Sequence, residues 1–250
     1  MKKHLILLVL FLLLSTLLFS SCSYQKSSML IDAIENEDED LVEKLLSEGV
    51  DPNIPNAPVL QKINCFLENE PELPLAVACK VGNYEIVELL VSHGATASYI
   101  ENTGWSPLAS TLFYYHPDDV KIIKLLLEHG ADASLKESGE LPVFRASRMI
   151  PKVFDSSKSN GSVFSSDYDE ASAAGIVEIV KCLMKEDDLN KFSDSGTTLL
   201  MHAASSGNVE LVKYLISIQA DPTLQDSNGK SAYDYAIENG HSEIAELLRH

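Results

Sequence analysis

The sequence predicts an all-α solenoid of about six helix-turn-helix units that are joined by short finger loops. The first observation behind this prediction is an apolar helical phrase that recurs along the chain. The second is a shorter signature that stands about ten residues upstream of most copies of the phrase. The third is the spacing, because Leu73 to Ser106 and Thr198 to Ser231 each span 33 residues. A fixed period of this size marks a stack of similar supersecondary units.

The recurring phrase is expected to form the second helix of each unit. Its copies begin at Asp40, Glu85, Lys121, Glu178, Glu210 and Glu243. Ile86, Leu89 and Leu90 fall at helical spacing and so share one apolar face. A single unit cannot bury such a face alone, so the units must stack in order to fold. Gly94 and Gly130 follow the phrase at the helix end, where a left-handed backbone favours glycine.

The shorter signature opens the first helix of the units. It reads Leu73-Pro74-Leu75-Ala76-Val77-Ala78 in one unit and Thr198-Leu199-Leu200-Met201-His202-Ala203-Ala204 in another. Together the two signatures resemble the ankyrin repeat, whose turn-helix-helix unit has this period and a T-P-L-H-x-A opening. The resemblance covers roughly residues 28–250. It implies a protein-binding fold that recognises its partner through the finger tips and the exposed side of the first helices.

The first two units differ from the regular pattern. Unit one, at about 28–53, lacks the turn signature and carries Asp32, Glu35 and Glu37 in its first helix. A terminal capping unit with a solvated outer face is expected to look like this. About a dozen extra residues, at about 53–72, separate it from unit two.

The later units contain the remaining departures. Unit three is lengthened around Phe113–Pro117, and unit four carries the largest insertion, at about 149–170. The Ser, Asn and Gly residues of this insertion indicate a surface loop. Either Ala146 or Ala171 could occupy the usual alanine position of its first helix. The last unit stops straight after Leu247-Leu248, which is typical of a C-terminal cap.

Residues 1–21 are predicted to be a secretory signal peptide, because Lys2-Lys3-His4 precede an apolar run from Leu5 to Phe19. The run is shorter than the roughly twenty residues that a membrane-spanning helix needs. Leu18-Phe19-Ser20-Ser21-Cys22 resembles a bacterial lipoprotein cleavage box, which implies lipidation at Cys22. Ordinary signal-peptidase cleavage, or no cleavage, is the alternative.

If Cys22 is lipidated, residues 22–28 form a short linker to a repeat domain at 29–250. The bacterial envelope is then the expected location, and by the family resemblance Ser23 favours the outer membrane facing the periplasm. An internal start at Met29 would instead give a minor cytosolic form.

The formal charge of −18 becomes −20 when Lys2 and Lys3 are removed with the signal peptide. Such a surface repels nucleic acid and anionic lipid headgroups. It attracts a basic protein, although acidity also serves solubility alone. We therefore expect a protein partner of basic character, no nucleic acid, membrane attachment only through a lipid at Cys22, and a monomer when unbound.

Residues suited to chemistry are sparse. Cys65 could reach Cys79 and form a disulfide, whereas Cys182 is expected to be a buried small side chain. The chain has no C-x-x-C, H-E-x-x-H or G-x-S-x-G motif, and none of its seven histidines has partners at a catalytic or metal-ligand spacing. We therefore expect no enzymatic activity, catalytic residue, metal or cofactor.

The predicted recognition residues lie at the finger tips and in the lengthened part of unit three. They are Tyr99, Glu101, Asn102, Trp105, Tyr114, Tyr115, Glu137, Glu140, Asp194, Asp226 and Asn228. Trp105 is the only tryptophan, a residue favoured at interface hot spots, although packing between neighbouring tips is an equal alternative.

Two hypotheses for the function follow. The leading one is a membrane-tethered module that binds and neutralises a protein such as a secreted toxin or phospholipase effector, which would make the chain an immunity protein. The alternative is an envelope scaffold or accessory protein for a periplasmic enzyme or complex.

Overall fold

The computed structural model describes residues 25–55, 72–98, 105–113, 115–150 and 169–249. These residues form helices, turns and one isolated β-bridge, which confirms the predicted all-α fold class. In this part of the chain, no helix combines the length and the hydropathy needed to cross a membrane. The predicted signal peptide, Cys22, Cys65 and most of both insertions lie outside the described residues. The chain divides into two compact units, residues 1–106 and residues 107–250.

The N-terminal unit contains four described helices. They are α1 at residues 25–35, α2 at Glu39–Ser47, α3 at Pro74–Val81 and α4 at Tyr84–Ser92. Helix α4 packs against both α2 and α3. The core between them is aliphatic, and Leu30, Ile34, Val42 and Ile86 are fully buried.

The C-terminal unit contains the remaining described helices. They are α5 at Pro107–Ser110, α6 at Asp119–Glu128, α7 at Pro142–Ser147, α8 at Glu170–Leu183, α9 at Leu199–Ser206, α10 at Val209–Ser217, α11 at Ala232–Glu238 and α12 at Ser242–Leu247, with a short 3-10 helix at Glu186–Asp188. Helices α7, α9 and α11 pack side by side as first helices. Helices α6, α8, α10 and α12 pack as a second row, so each helix pair buries its apolar face on the next pair.

Asparagine side chains start two of the second helices. Asn83 accepts a hydrogen bond from the Ile86 N–H at 3.0 Å, and Asn208 accepts one from the Leu211 N–H at 2.9 Å. Each bond satisfies a backbone donor that the first turn of a helix leaves unpaired. The fully buried Asn208 also donates to the Ala173 carbonyl at 3.4 Å, which ties α10 to α8.

The predicted left-handed helix ends are confirmed. Gly94 and Gly130 have φ angles of 87° and 91° directly after α4 and α6. The residue after each glycine donates back into the helix, from Ala95 N–H to the Leu90 carbonyl and from Ala131 N–H to the Leu126 carbonyl, both at 2.9 Å. This closure satisfies carbonyl groups that the last turn would otherwise leave unpaired.

The predicted apolar face of the second helices is confirmed at its centre but not at its edge. Ile86 and Leu90 are fully buried, whereas Leu89 is half-buried. Cys182, at the position that matches Leu89, is also half-buried, so the expectation of full burial was wrong. The thiol lies at the edge of the stripe near the charges of Lys124 and Glu178, and its burial raises its pKa.

The structure decides which alanine belongs to the first helix of unit four. Ala146 is fully buried in α7, which packs on the neighbouring first helix α9. Ala171 is exposed at the start of α8, which packs on the second helix α10. The insertion therefore connects the first helix of this unit to its second helix.

Candidate protein-interaction surface

The inner strip of the C-terminal unit, as we name it, consists of three finger loops and the first helices that follow them. Finger four covers residues 136–140, finger five covers 193–197 and finger six covers 226–230. Helices α7, α9 and α11 begin directly after these loops, and the strip also includes Phe113, three residues after α5.

Finger four is a two-residue turn. Glu137 and Glu140 exchange both backbone hydrogen bonds, at 3.0 and 3.1 Å, and form the isolated bridge. The two residues between them, Ser138 and Gly139, have φ angles of 52° and 79°. Positive φ at both central positions gives a tight turn that matches strand twist, and glycine adopts this conformation without a steric cost. The predicted recognition residues Glu137 and Glu140 are both half-buried at its base.

Finger five contacts finger four through an ion pair. The exposed Asp194 accepts a hydrogen bond from the Lys136 ammonium at 2.5 Å. A Cβ atom on Gly139 would lie 3.6 Å from the Asp194 carboxylate, so the two tips are in close proximity. Both ionic side chains are about half exposed, and exposed pairs of this kind contribute roughly 1 kcal/mol or less to stability. Asp194 is therefore accessible at the tip, as a recognition residue must be.

Finger six is organised by Asp226, which corrects the expectation that this side chain is available to a partner. Asp226 is only 9% exposed, and its carboxylate accepts bonds from the backbone N–H groups of Asn228 and Lys230 at 2.9 and 2.8 Å. It also accepts from the Tyr235 hydroxyl at 2.9 Å. These bonds, led by the one from Lys230, lower the pKa of Asp226. Asn228, by contrast, is exposed at the tip.

His202 connects neighbouring repeats beneath finger five, a role that the sequence did not predict. It is 6% exposed, and its Nδ1 lies 3.2 Å from the Phe144 carbonyl oxygen. A carbonyl can only accept, so Nδ1 carries the hydrogen and Nε2 accepts from the Thr197 hydroxyl at 2.5 Å. Burial lowers the pKa of His202 to about 4, which keeps the imidazole neutral at physiological pH.

Two arginines stand on the inner strip, and the sequence reading missed both. Arg148 donates to the Glu140 carboxylate at 2.5 Å, and Arg145 approaches the same oxygen at 3.9 Å. The Arg145 guanidinium also lies over the Phe113 ring, 5.5 Å from its centroid. The available signal was composition, because the whole chain contains only three arginines, of which Arg145 lies in α7 and Arg148 directly follows that helix.

In the lengthened part of unit three, the Tyr115 side chain is buried. This corrects the expectation that Tyr115 is a recognition residue. Tyr115 is 9% exposed, and its ring covers Gly175 so closely that a Cβ atom there would overlap it. Burial raises the pKa of Tyr115. A partner cannot reach this ring, because the absence of a side chain at position 175 creates the space that the tyrosine fills.

A buried carboxylate lies beside Tyr115. Asp119 is fully buried in the first turn of α6 and accepts a hydrogen bond from the His116 N–H at 2.7 Å. The other carboxylate oxygen lies 3.6 Å from the His116 ring nitrogen Nδ1. Burial raises the pKa of Asp119, because the charged form is poorly solvated there.

The other predicted recognition residues have mixed positions. Trp105 is half-buried, while Tyr99, Glu101, Asn102 and Tyr114 lie outside the described residues. Over the described ranges, no group of three or more His, Cys, Asp or Glu side chains is arranged to hold a metal ion. The inner strip is suited to contacts with another molecule through the exposed side chains of Asp194, Asn228 and Arg148.

The family model described as "Ankyrin repeats (3 copies)" matches residues 30–137 and 169–250. Among known proteins, the chain is 40% identical over 83 residues to ankyrin repeat and SAM domain-containing protein 6 of Rattus norvegicus. It is 33% identical over 98 residues to ankyrin repeat and SOCS box protein 14 of Mus musculus. It is 37% identical over 60 residues to the NAD-capped RNA hydrolase NUDT12 of Homo sapiens.

These matches are partial on both sides. They cover 31%, 39% and 24% of this chain, and 9%, 14% and 13% of the three relatives. The similarity is therefore limited to repeats and gives no information about the relatives' other regions. The family model, in contrast, spans more than half of the chain, and its unit agrees with the stacked helix pairs and fingers. The chain belongs to the ankyrin-repeat family.

Proposed function

We propose that this chain is a membrane-tethered module that binds and neutralises a protein, such as a secreted toxin or phospholipase effector. The inner strip is the observation that supports the protein-binding part of this proposal. Its finger loops are held in place by their own hydrogen bonds, as at Glu137–Glu140 and around Asp226, while Asp194 and Asn228 stay exposed. Recognition loops that are ordered before binding lose less conformational entropy when a partner docks.

The charge of the chain supports a basic partner. Helices α1 and α2 and their flanking loops, at residues 25–55, contain nine acidic residues and two lysines. All nine acidic side chains are exposed. A surface of this charge speeds the approach of a basic protein and slows that of an acidic one, most strongly at low salt.

The tether rests on the lipoprotein-like box that ends at Cys22. A diacylated cysteine would keep the repeats at the membrane surface, since two acyl chains anchor stably where one is marginal. Metabolic labelling with a radioactive fatty acid tests this part. We expect label on the wild-type chain and none on Cys22→Ser. Equal labelling of both proteins, or no label on either, would contradict the tether and leave protein binding untouched.

A charge reversal at one finger tip tests binding through the inner strip. The full chain in detergent is immobilised and exposed to envelope and secreted proteins, and bound proteins are identified and then assayed. We expect a basic protein whose toxic or lipolytic activity falls when it is bound, and its retention should drop about tenfold with Asp194→Lys.

A matched control separates tip binding from general charge effects. Glu178→Lys changes an equally exposed carboxylate that also pairs with a lysine, Lys181 at 2.6 Å, but on a second helix. This variant should bind like the wild type. Equal losses in both variants would contradict binding through the inner strip. A captured enzyme whose activity is unchanged would favour the scaffold alternative over immunity.

A further inference from the structure

Four side chains on the inner strip form a compact cluster, which we name the arginine patch: Phe113, Glu140, Arg145 and Arg148. Glu140 lies between the two guanidinium groups, 2.5 Å from Arg148 and 3.9 Å from Arg145. Arg145 covers the Phe113 ring at 5.5 Å from its centroid. The patch joins the base of finger four to α7 and to the segment that follows α5.

Exposure within the patch is graded. The Arg145 and Glu140 side chains are 15% and 17% exposed, whereas the Arg148 side chain is 52% exposed. Phe113 is 36% exposed, which is high for a large apolar side chain. The inner residues are thus fixed by their neighbours, and the outer residues Arg148 and Phe113 face solvent. Phenylalanine and arginine are both enriched at protein interfaces, and arginine is enriched among binding hot spots.

We propose that the arginine patch anchors the protein partner by binding a carboxylate side chain of that partner, with an apolar neighbour of the carboxylate packed on Phe113. The proposal rests on the protein-binding function proposed above and specifies which chemical group the inner strip recognises. A guanidinium carries five N–H donors in a planar fork, and the bond to Glu140 uses one of the Arg148 donors. The remaining donors match the planar geometry of a second carboxylate.

Charge complementarity favours a carboxylate over a phosphate. Two guanidinium charges are opposed by the Glu140 carboxylate and by Glu137, whose charge also acts on Arg145, so the patch has no surplus of positive charge and suits a monoanion better than a dianion. A phosphate monoester carries a charge between about −1.5 and −2 at neutral pH and would meet repulsion from Glu140. In a chain with a formal charge of −18, two neighbouring arginines provide a place where an acidic group of an otherwise basic partner can dock.

The probe for this proposal is a phage-displayed library of short random peptides, selected on the full chain in detergent micelles. We expect the selected peptides to share Asp or Glu next to a large apolar residue. One selected peptide is then synthesised with its acid intact, with Asn or Gln in its place, and with phosphoserine in its place. Dissociation constants are measured by fluorescence anisotropy.

Two variants of the patch should change the affinity in opposite directions. Arg148→Gln should weaken binding of the acidic peptide about tenfold, as loss of a charge-assisted hydrogen bond does. Glu140→Gln should strengthen it about two- to fivefold, because the competing carboxylate is removed while the backbone bonds of finger four remain. A destabilised protein would lose affinity in both variants, so the opposite signs separate recognition from misfolding.

A control of the same chemistry exists on the second helices. Lys181 lies 4.9 Å over the Tyr214 ring and bonds to Glu178, which reproduces a cation, an aromatic ring and a carboxylate away from the inner strip. Lys181→Gln should leave the affinity unchanged. Thermal unfolding of each variant, followed by circular dichroism, confirms that the fold is intact.

The remaining outcomes each overturn the proposal. Selected peptides without acids, equal binding by wild type and Arg148→Gln, or preference for phosphoserine over the carboxylate would exclude a carboxylate anchor while protein binding through the strip stands. Binding of the wild type to vesicles of anionic phosphatidylglycerol that Arg148→Gln abolishes would assign the patch to lipid. Failure to enrich any peptide over empty micelles would contradict this inference, while the capture experiment with Asp194→Lys tests the proposed function separately.

Discussion

The imidazole of His202 meets the Phe144 ring edge to face, with 5.7 Å between ring centroids, while its Nδ1 donates to the Phe144 carbonyl. One residue of α9 thereby makes both an aromatic contact and a hydrogen bond to one residue of α7. The bond to the Phe144 carbonyl favours the protonated ring, but burial opposes a positive charge more strongly, and Nε2 is occupied as the acceptor of a hydrogen bond from Thr197. The packing of these two repeats should therefore depend on pH.

Acid is expected to destabilise the chain through His202. Its folded-state pKa of about 4 lies below the ordinary value of 6.5, so the unfolded state binds more protons between these values. The stabilising effect is fully present above 6.5 and is lost as pH falls toward 4, to a limit of about 3 kcal/mol. Urea unfolding across this pH range measures the loss. His202→Leu, which cannot titrate, should show a shallower dependence, and equal slopes would exclude His202 as the cause.

Neutral pH should be unfavourable for the buried Asp119. Its pKa is raised above 3.8, so the folded state binds the proton more tightly and ionisation above the folded pKa reduces stability. Asp119→Asn keeps an acceptor for the His116 N–H and removes the charge. We expect it to raise the free energy of unfolding at neutral pH, and this gain should vanish below pH 3.8. Asp118→Asn, which breaks a surface pair with Lys121, should change stability by no more than about 1 kcal/mol.

Replacing Gly175 by alanine should destabilise the chain even though alanine favours helices. The new methyl group would overlap the Tyr115 ring, and overpacking of this kind costs about 1–3 kcal/mol. Chemical denaturation of Gly175→Ala measures this cost. The loss should shrink when Tyr115→Leu is added, because the two changes act on one contact. Additive losses would show that the Tyr115 ring is not the obstacle.

Substitutions at Asp226 and Asn228 should distinguish a structural role from a binding role within finger six. Asp226→Ala removes the acceptor for two backbone N–H groups and the Tyr235 hydroxyl, so the melting temperature should fall. Asn228→Ala removes an exposed side chain that makes only one long bond, 3.3 Å to the Asp226 carboxylate, so it should lower the melting temperature much less while weakening partner binding. Differential scanning calorimetry makes the comparison. An unchanged melting temperature for Asp226→Ala would refute its structural role.

Periodicity predicted the fold because it is a local property. The 33-residue spacing of Leu73 and Ser106, and the glycines at positions 94 and 130, depend on residues within one unit and its copies. Contacts between side chains that are distant in sequence could not be predicted from this periodicity. Tyr115 was expected at the surface because its unit is lengthened, yet Gly175, sixty residues later, provides a buried space for its ring.

The candidate site was predicted at the level of loops rather than side chains. Asp194 and Asn228 were correctly expected at exposed tips. Asp226 has the same spacing, but its carboxylate turns back to the backbone of its own loop, which residue type alone does not reveal. Arg145 and Arg148 went unnoticed because their importance depends on Glu140 reaching across from finger four.

The hydroxyl groups of finger five make His202 an intrinsic reporter. The Thr197 hydroxyl, which bonds to Nε2, also lies 3.0 Å from the hydroxyl of the exposed Ser195, so two successive hydrogen bonds link an interior ring to an exposed side chain of the tip. Whatever perturbs Ser195 alters the magnetic environment of that nitrogen. Imidazole resonances of an isotopically enriched sample would thus register docking without any attached dye, and from a position that the docked molecule never touches.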